Sequence, residues 1–183
     1  MSSQDNNSLW VFGYGSLIWR PGFKFLQSQK ALLSGAHRCL CVYSHHYRGT
    51  KTSPGLVFGL LRGGSCYGMA FEVAQTNRQE VIKYLRKREQ VSNVYCEKYR
   101  NILLASGEKV KALTYFANTS HKQFAGRLEL NKQLELVGKA RGEMGSDFDY
   151  VINTEQHLVE MGISDKRLQM LSQKLQSQNN AIL

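Results

Sequence analysis

In the first two thirds of the chain, the hydrophobic positions form short, partly alternating runs that are typical of β-strands. The first strand is predicted over Trp10–Phe12 and ends at Gly13-Tyr14-Gly15-Ser16, where two glycines favour a tight backbone path with exposed N–H groups. Further strand segments are predicted over Ala31–Tyr47, Leu56–Leu61, Tyr67–Val73, Tyr95–Ala105 and Lys109–Phe116. Because Gly63-Gly64-Ser65 separates Leu56–Leu61 from Tyr67–Val73, the pattern predicts a hairpin at that point.

The spacing of apolar residues becomes helical in two regions. Thr76 is the predicted N-cap of the first helix, because Thr76-Asn77-Arg78-Gln79 matches a capping box. Three helices are predicted after Arg127: one with core positions at Leu128, Leu130, Leu134 and Val137, one over Asn153–Met161 capped by Asn153 or Thr154, and one capped by Ser164. Strands first and helices last indicate an α+β chain rather than a doubly wound sheet. We expect a flexible N-terminus over residues 1–8 and one domain over residues 9–183 that ends in C-terminal helices.

The composition narrows the class of protein. Of the 183 residues, 42% are hydrophobic, which is enough for a core and too many for a disordered chain. No apolar run approaches the ~20 residues of a membrane span, and Met1–Ser8 lacks the basic and apolar regions of a signal peptide. The four cysteines, Cys39, Cys41, Cys66 and Cys96, show no CxxC spacing. We therefore expect reduced thiols, a cytoplasmic location and no association with a membrane.

The charge is strongly positive: 24 lysines and arginines against 14 acidic residues give a net charge of +10. Such a surface attracts anions, which include nucleic acids, anionic lipids and acidic metabolites. The densest basic cluster spans Lys83–Arg88, with Lys98 and Arg100 following it. No aromatic-rich RNA motif, helix-turn-helix pattern or zinc-finger spacing accompanies it, so a solvated helix face is favoured and no nucleic-acid partner is expected.

Glu89 is the candidate catalytic residue that the pattern itself indicates. It follows Val81 and Leu85 at helical spacing, which directs its carboxyl group toward apolar surface near a helix C-terminus. Burial and the helix dipole both favour a neutral carboxyl group, as a general acid or base requires. The alternative is a structural ion pair with Arg88 or Arg86.

Gly13-Tyr14-Gly15-Ser16-Leu17 is the second candidate. Ile18 replaces the third glycine of a dinucleotide-binding fingerprint, and no Walker lysine follows. The exposed N–H groups of such a loop suit a carboxylate, although an ordinary strand-to-turn glycine pair remains the alternative. A metal cluster of His37, Cys39, Cys41, His45 and His46 lacks a second pair with a recognised spacing, so no metal is expected.

One string in the sequence is highly specific. Trp10-Val11-Phe12-Gly13-Tyr14-Gly15-Ser16-Leu17-Ile18-Trp19-Arg20-Pro21 resembles the opening motif of the ChaC family of glutathione-specific γ-glutamylcyclotransferases. Further segments agree with the family in order and spacing: Arg48-Gly49-Thr50 with Pro54-Gly55, Gly68-x-Ala70, Tyr84-Leu85-x-x-Arg88-Glu89, Gly145–Tyr150 and Thr154–Gly162. The resemblance covers roughly residues 9–175.

The resemblance implies a mixed β-barrel with flanking helices, the γ-glutamylcyclotransferase-like fold. It also implies a lyase that converts glutathione to 5-oxoproline and Cys-Gly without a cofactor. Glu89 matches the family's catalytic glutamate, the segment Phe12, Gly13, Tyr14, Gly15, Ser16, Leu17 matches its substrate-binding loop, and Tyr95 and Tyr150 align with tyrosines near its pocket.

Two positions depart from the family pattern. Ser92-Asn93-Val94 precede Tyr95 where glycine is usual, and Asn93 is expected to keep the turn because asparagine tolerates the left-handed conformation. Leu56 stands where an arginine is frequent. Two alternatives remain open beside a glutathione-specific enzyme: a cyclotransferase of other γ-glutamyl amino acids or amines, and a non-catalytic basic binding module. The sequence leaves the oligomeric state undetermined.

Overall fold

In the computed structural model, which describes residues 8–89 and 92–180, five strands close into a mixed β-barrel. The strands are β1 (Leu9–Gly13), β2 (Gln27–Ser44), β3 (Gly55–Val73), β4 (Tyr95–Leu104) and β5 (Lys109–Ala117). Their order around the barrel is β1-β3-β2-β4-β5, and a parallel pairing of Trp10 with Ala112 joins β5 back to β1. The predicted α+β class and barrel are confirmed.

The predicted hairpin within residues 56–73 is wrong, because these residues form the single 19-residue strand β3. That strand pairs with β2 along its length, from Ser44 with Gly55 to Gln27 with Glu72. Gly63 and Gly64 do have positive φ angles, of 92° and 71°, yet they lie opposite an irregularity at Gly35, where the pairing register shifts. The glycines therefore let two long strands bend together instead of reversing the chain.

Four α-helices flank the barrel: α1 (Arg78–Glu89), α2 (Leu130–Lys139), α3 (Asp147–Glu160) and α4 (Lys166–Asn180). Short 3-10 turns cover Ser16–Ile18 and Gln75–Asn77, and a two-residue ribbon pairs β6 (Arg141–Gly142) with β7 (Gly145–Ser146). No helix among the described residues has the length and apolar character that crossing a membrane requires.

Three predicted helix caps are wrong. Thr76 lies inside the 3-10 turn, so α1 begins after it. Helix α3 begins well before Asn153, because the Ser146 side chain accepts a hydrogen bond from the N–H of Asp149 and caps it. At α4, the Asp165 carboxylate rather than Ser164 accepts a hydrogen bond, from the N–H of Leu168.

Two apolar clusters use opposite sides of β1. Leu9 and Val11 pack with Val81, Ile82 and Leu85 of α1. The alternate residues Trp10 and Phe12 belong to a larger cluster that includes residues of α2, α3 and α4. Because side chains alternate along a strand, β1 is buried on both faces and fixes the loop that follows it.

The segment before β4 keeps the turn that the sequence predicted. Asn93 has a φ angle of 57°, so asparagine takes up the left-handed conformation here. Leu56 is fully buried. The predicted flexible N-terminus falls almost entirely on residues 1–7, which lie outside the described residues.

Candidate active site

The site predicted from the sequence faces an open cleft of about 860 Å³. Seven of the nine predicted site residues line this cleft: Tyr14, Gly15, Ser16, Leu17, Glu89, Tyr95 and Tyr150. The remaining two, Phe12 and Gly13, lie behind the loop. Phe12 is fully buried in the core, and a Cβ atom on Gly13 would come within 2.8 Å of the Leu17 Cβ atom. These two residues therefore support the loop rather than face the cleft.

Glu89 is the last residue of α1, and it continues the stripe of the buried residues Val81 and Leu85 as predicted. Its side chain keeps 18% of its surface exposed, so the carboxyl group can be reached from the cleft while protein surrounds it on other sides. Burial raises the pKa of Glu89 above its ordinary value of 4.5, and the nearby Arg88 acts in the opposite direction. The carboxyl group is thus biased toward taking up and returning a proton.

Arg88 rather than Arg86 accompanies Glu89. The Arg88 Nε atom lies 3.2 Å from Oε1 of Glu89, whereas Arg86 forms two 2.9 Å hydrogen bonds with the carboxylate of Glu97 on β4. Within the basic cluster, Arg86 therefore forms a surface ion pair, whereas Arg88 belongs to the cleft.

Arg88 also holds the glycine-rich loop against α1. Its Nη2 atom donates to Oγ of Ser16 at 2.9 Å, and its Nη1 atom donates to the carbonyl oxygens of Arg20 at 2.6 Å and Pro21 at 3.1 Å. One guanidinium group therefore connects Glu89 with a loop about seventy residues away in the sequence. Such bonds to a charged donor are stronger than neutral ones.

The loop that lines the cleft has main-chain N–H groups without acceptors among the described residues. The carbonyl of Gly15 accepts from the N–H of Ile18 at 2.9 Å, which closes the 3-10 turn. No described residue accepts a hydrogen bond from the N–H groups of Gly15, Ser16 or Leu17. On its other side, the loop is fixed by Arg38, whose Nε atom donates to the carbonyl of Tyr14 at 2.5 Å. Free and immobilised N–H groups of this kind suit a carboxylate or an oxyanion.

Three tyrosines surround the space between the loop and Glu89. The Tyr14 hydroxyl donates to the carbonyl of Tyr115, and that of Tyr95 donates to the carbonyl of Phe58, both at 2.7 Å. The Tyr150 hydroxyl instead accepts from the N–H of Phe58 at 3.1 Å. No described residue accepts the Tyr150 proton, so this hydroxyl remains available as a donor.

Burial, aided by nearby Glu89, raises the pKa of Tyr14. The pKa values of Tyr95 and Tyr150 are also raised above the ordinary value, with burial as the largest cause. All three phenols therefore stay protonated at neutral pH. A Cβ atom on Gly15 would lie 3.0 Å from the Tyr150 hydroxyl, which explains the absence of a side chain there.

The sequence assigned no role to two charged residues near Tyr150, Arg48 and Asp147. The Arg48 Nη1 atom donates to the carbonyl of Met144 at 2.7 Å, and its guanidinium group lies 5.2 Å from the centre of the Tyr150 ring. The fully buried Asp147 accepts from the N–H of Leu56 through Oδ2 at 2.6 Å. Both residues lie in segments that resemble the family, Arg48 in Arg48-Gly49-Thr50 and Asp147 in Gly145–Tyr150, but neither was assigned a function from the sequence.

Two histidines of the candidate metal cluster have different partners in the structure. Nδ1 of His37 lies 2.9 Å from the carbonyl of Gly63, and His46 lies 3.2 Å from a carboxylate oxygen of Glu143. Within residues 8–89 and 92–180, no three His, Cys, Asp or Glu side chains are grouped closely enough to hold a metal ion.

Comparison with known proteins identifies the family of the chain. The family model described as "ChaC-like protein" matches residues 9–178. The glutathione-specific γ-glutamylcyclotransferase of Escherichia coli is 29% identical over 164 residues, which cover 90% of this chain and 71% of that protein. Glutathione-specific γ-glutamylcyclotransferase 1 of Homo sapiens is 30% identical over 152 residues, covering 81% of this chain and 68% of that protein.

The fold has a solved counterpart. A yeast γ-glutamyl cyclotransferase specific to glutathione superposes with a TM-score of 0.85 at 22% identity, over 93% of this chain and 96% of that one. The match to the family model includes both the glycine-rich loop and Glu89 and extends over nearly the whole chain. This chain therefore belongs to the ChaC-like family.

Proposed function

We propose that this chain is a γ-glutamylcyclotransferase that converts glutathione to 5-oxoproline and Cys-Gly. Relatives from Escherichia coli and Homo sapiens carry the name of that activity, at 29% and 30% identity. The site offers what the reaction needs: an accessible carboxyl group of raised pKa and a loop of free main-chain donors. The α-amino nitrogen of the glutamyl residue forms an amide with the γ-carbonyl carbon as the amide to the cysteinyl nitrogen breaks. The stoichiometry of the reaction therefore requires no water, nucleotide or metal.

The observation that carries the proposal is the position of Arg88 between the two parts of the site. It contacts Oε1 of Glu89 at 3.2 Å and Oγ of Ser16 at 2.9 Å. A carboxyl group in a purely structural ion pair would not need a loop of unpaired N–H groups beside it. Here both are joined by one side chain and open into the same cleft.

We assign the proton transfers to Glu89. Its carboxylate accepts a proton from the α-amino group of the glutamyl residue, which can then attack the γ-carbonyl carbon. The protonated carboxyl group afterwards gives a proton to the departing amine of the cysteinyl residue. A single group can do both in turn when its pKa is raised toward neutrality. Because the attack is intramolecular, holding the γ-glutamyl arm in a folded conformation supplies a large part of the rate.

We assign binding of the glutamyl α-carboxylate and of the developing oxyanion to the loop and to Tyr150. The N–H groups of Gly15, Ser16 and Leu17 are the unpaired main-chain donors of this wall of the cleft. The Tyr150 hydroxyl adds a proton that no described residue accepts. Tyr95 lines the same space, while Phe12 and Gly13 are proposed to act through the shape of the loop.

We further propose a cytoplasmic enzyme that needs no nucleic-acid partner. Its four cysteines are all unpaired, which fits a reducing compartment. The strongly positive chain favours a small anionic substrate.

The test is incubation of the purified, metal-free protein with reduced glutathione, with both products measured by mass spectrometry. The proposal predicts equal amounts of 5-oxoproline and Cys-Gly. γ-Glutamylalanine serves as the comparison substrate, and faster turnover of it than of glutathione would move the activity to other γ-glutamyl compounds. Absence of 5-oxoproline from every γ-glutamyl compound would refute the enzyme function.

A further inference from the structure

The lining of the cleft carries more positive than negative side chains. Glu89 is its one carboxylate among the described residues, against six basic side chains: Arg20, Arg48, Lys51, Lys87, Arg88 and Lys122. Arg48 and Arg88 are engaged with main-chain carbonyls, as described above. No described carboxylate lies within 4.0 Å of Lys51 or Lys122.

The fold brings Lys51 and Lys122 to the part of the cleft lining beside the β2–β3 loop. The segment that contains Lys122 pairs with the end of β2: the N–H of Tyr43 donates to the carbonyl of Gln123, and Nε2 of Gln123 donates to the carbonyl of Tyr43, both at 2.8 Å. This pairing places Lys122 beside the start of the loop that joins β2 to β3. Lys51 occupies that same loop, within a turn closed by a 2.9 Å bond from the N–H of Thr50 to the carbonyl of Ser53.

His45, at the start of that loop, lies near both lysines. Burial, together with the positive charges of Lys122 and Lys51, lowers the pKa of His45. The pKa of Glu89, in contrast, responds to Arg88 and to neither of these lysines. Lys51 and Lys122 thus line the same cleft as Glu89 but belong to the β2–β3 loop and to the segment paired with the end of β2, rather than to α1.

We propose that Lys51 and Lys122 form a subsite for the terminal carboxylate of the substrate, so that γ-glutamyl peptides with a free C-terminal carboxylate are preferred over γ-glutamyl amides and amines. This inference rests on the proposed function and specifies its substrate class. With the γ-glutamyl arm held beside Glu89, the remainder of the substrate extends along the cleft toward the two lysines. Two unpaired ammonium groups there match one carboxylate.

The expected contribution is moderate, because both lysines are exposed to solvent. Pairs of exposed charges contribute little each, so we expect the two lysines together to favour the carboxylate about five- to tenfold in kcat/KM. Specificity is a difference between two substrates, so the comparison must be made against a matched neutral one.

The experiment compares glutathione with glutathione amide, in which the glycine carboxylate is replaced by a carboxamide. Formation of 5-oxoproline gives kcat/KM for the wild-type protein, for K51Q, K122Q and the double variant K51Q/K122Q. The control K83Q/K111Q removes the same charge from exposed lysines that do not line the cleft. We expect the wild type and the control to prefer glutathione about five- to tenfold, and K51Q/K122Q to turn over both substrates equally.

The glutathione amide arm makes the result unambiguous. Unchanged turnover of the amide by K51Q/K122Q shows that the variant is folded and that the lysines act on the carboxylate. A loss of activity that is equal for the two substrates, or a preference that survives the double substitution, would overturn the subsite while leaving the proposed function intact. A wild-type protein that forms 5-oxoproline from neither substrate would overturn both.

Discussion

Asp147 gives the sharpest quantitative prediction. Its side chain is fully buried, Oδ2 accepts the N–H of Leu56, and Oδ1 has no hydrogen-bond partner among the described residues. Burial raises the pKa of this carboxyl group from 3.8 to about 8, while the Leu56 N–H and Arg48 act in the opposite direction. The native protein therefore holds a proton on Asp147 over a pH range in which the unfolded chain has released it.

The sign of the pH dependence follows from this proton. Between pH 4 and pH 8 the native state binds more protons than the unfolded state at this position, so the free energy of unfolding falls as the pH rises. With 1.36 kcal/mol for each pKa unit, burial of Asp147 lowers the free energy of unfolding, relative to a group that does not titrate, by about 2 kcal/mol at pH 5 and about 5 kcal/mol at pH 8. Substitution by asparagine removes this cost and keeps the shape and the acceptor for Leu56.

The expected net gain is smaller, since the amide has two buried N–H groups where the protonated carboxyl group has one O–H, and the additional donor without an acceptor costs about 1–3 kcal/mol. D147N should therefore be about 3 kcal/mol more stable than the wild type at pH 8 and about equal to it at pH 5. For a chain of this length the gain corresponds to a melting temperature about 6–12 °C higher. Calorimetry at the two pH values measures it, and an equal or lower melting temperature at pH 8 would refute the reasoning.

Three further predictions concern Arg88 at the end of α1, Asn93 before β4 and Gly68 in β3. R88Q should lower kcat/KM about tenfold or more and move the acid limb of the pH profile to higher pH, since the carboxyl group of Glu89 loses a neighbouring cation. The control R86Q, which removes an exposed ion pair, should change neither kcat/KM nor the pH profile. Equal effects of the two substitutions in steady-state kinetics would contradict the role of Arg88. N93A should destabilise the protein by about 1 kcal/mol in urea unfolding, and N93G should not, because the φ angle of Asn93 is 57°; equal stability of the two variants would argue against that conformation. G68A should lower the melting temperature and activity together, because its Cβ atom would lie 2.3 Å from the carbonyl oxygen of Gly13; a fully active and equally stable variant would contradict this packing.

Local patterns predicted those parts of the fold that depend on neighbours in sequence. The stripe of Val81, Leu85 and Glu89 lies on one face of a helix as predicted, because helical periodicity alone determines it. Asn93 takes the left-handed conformation for a similarly local reason. The role of Glu89 in catalysis stays a prediction.

Errors arose where distant partners decide the structure. Gly63 and Gly64 have the conformational freedom of a turn, yet β2 lies alongside and keeps the strand continuous through them. The start of α3 depends on a cap at Ser146, whereas the sequence predicted a start at Asn153 or Thr154.

The hydrogen bond of Asp147 could not be predicted for the same reason. Asp147 and Leu56 are 91 positions apart in the sequence, and their hydrogen bond arises only when the barrel brings β3 against α3. Arg38 likewise contacts the loop through the carbonyl of Tyr14, a bond that no spacing in the sequence reveals.

The central claim is that the carboxyl group of Glu89 transfers the protons of the cyclisation, and E89Q tests it most directly. The measurement is the rate of 5-oxoproline formation from reduced glutathione by wild type and E89Q, with melting temperatures taken on the same samples. We predict a loss of at least about a hundredfold, in the range that general acid–base catalysis contributes, at a melting temperature no lower than that of the wild type. A folded E89Q protein that formed 5-oxoproline at the wild-type rate would contradict the account.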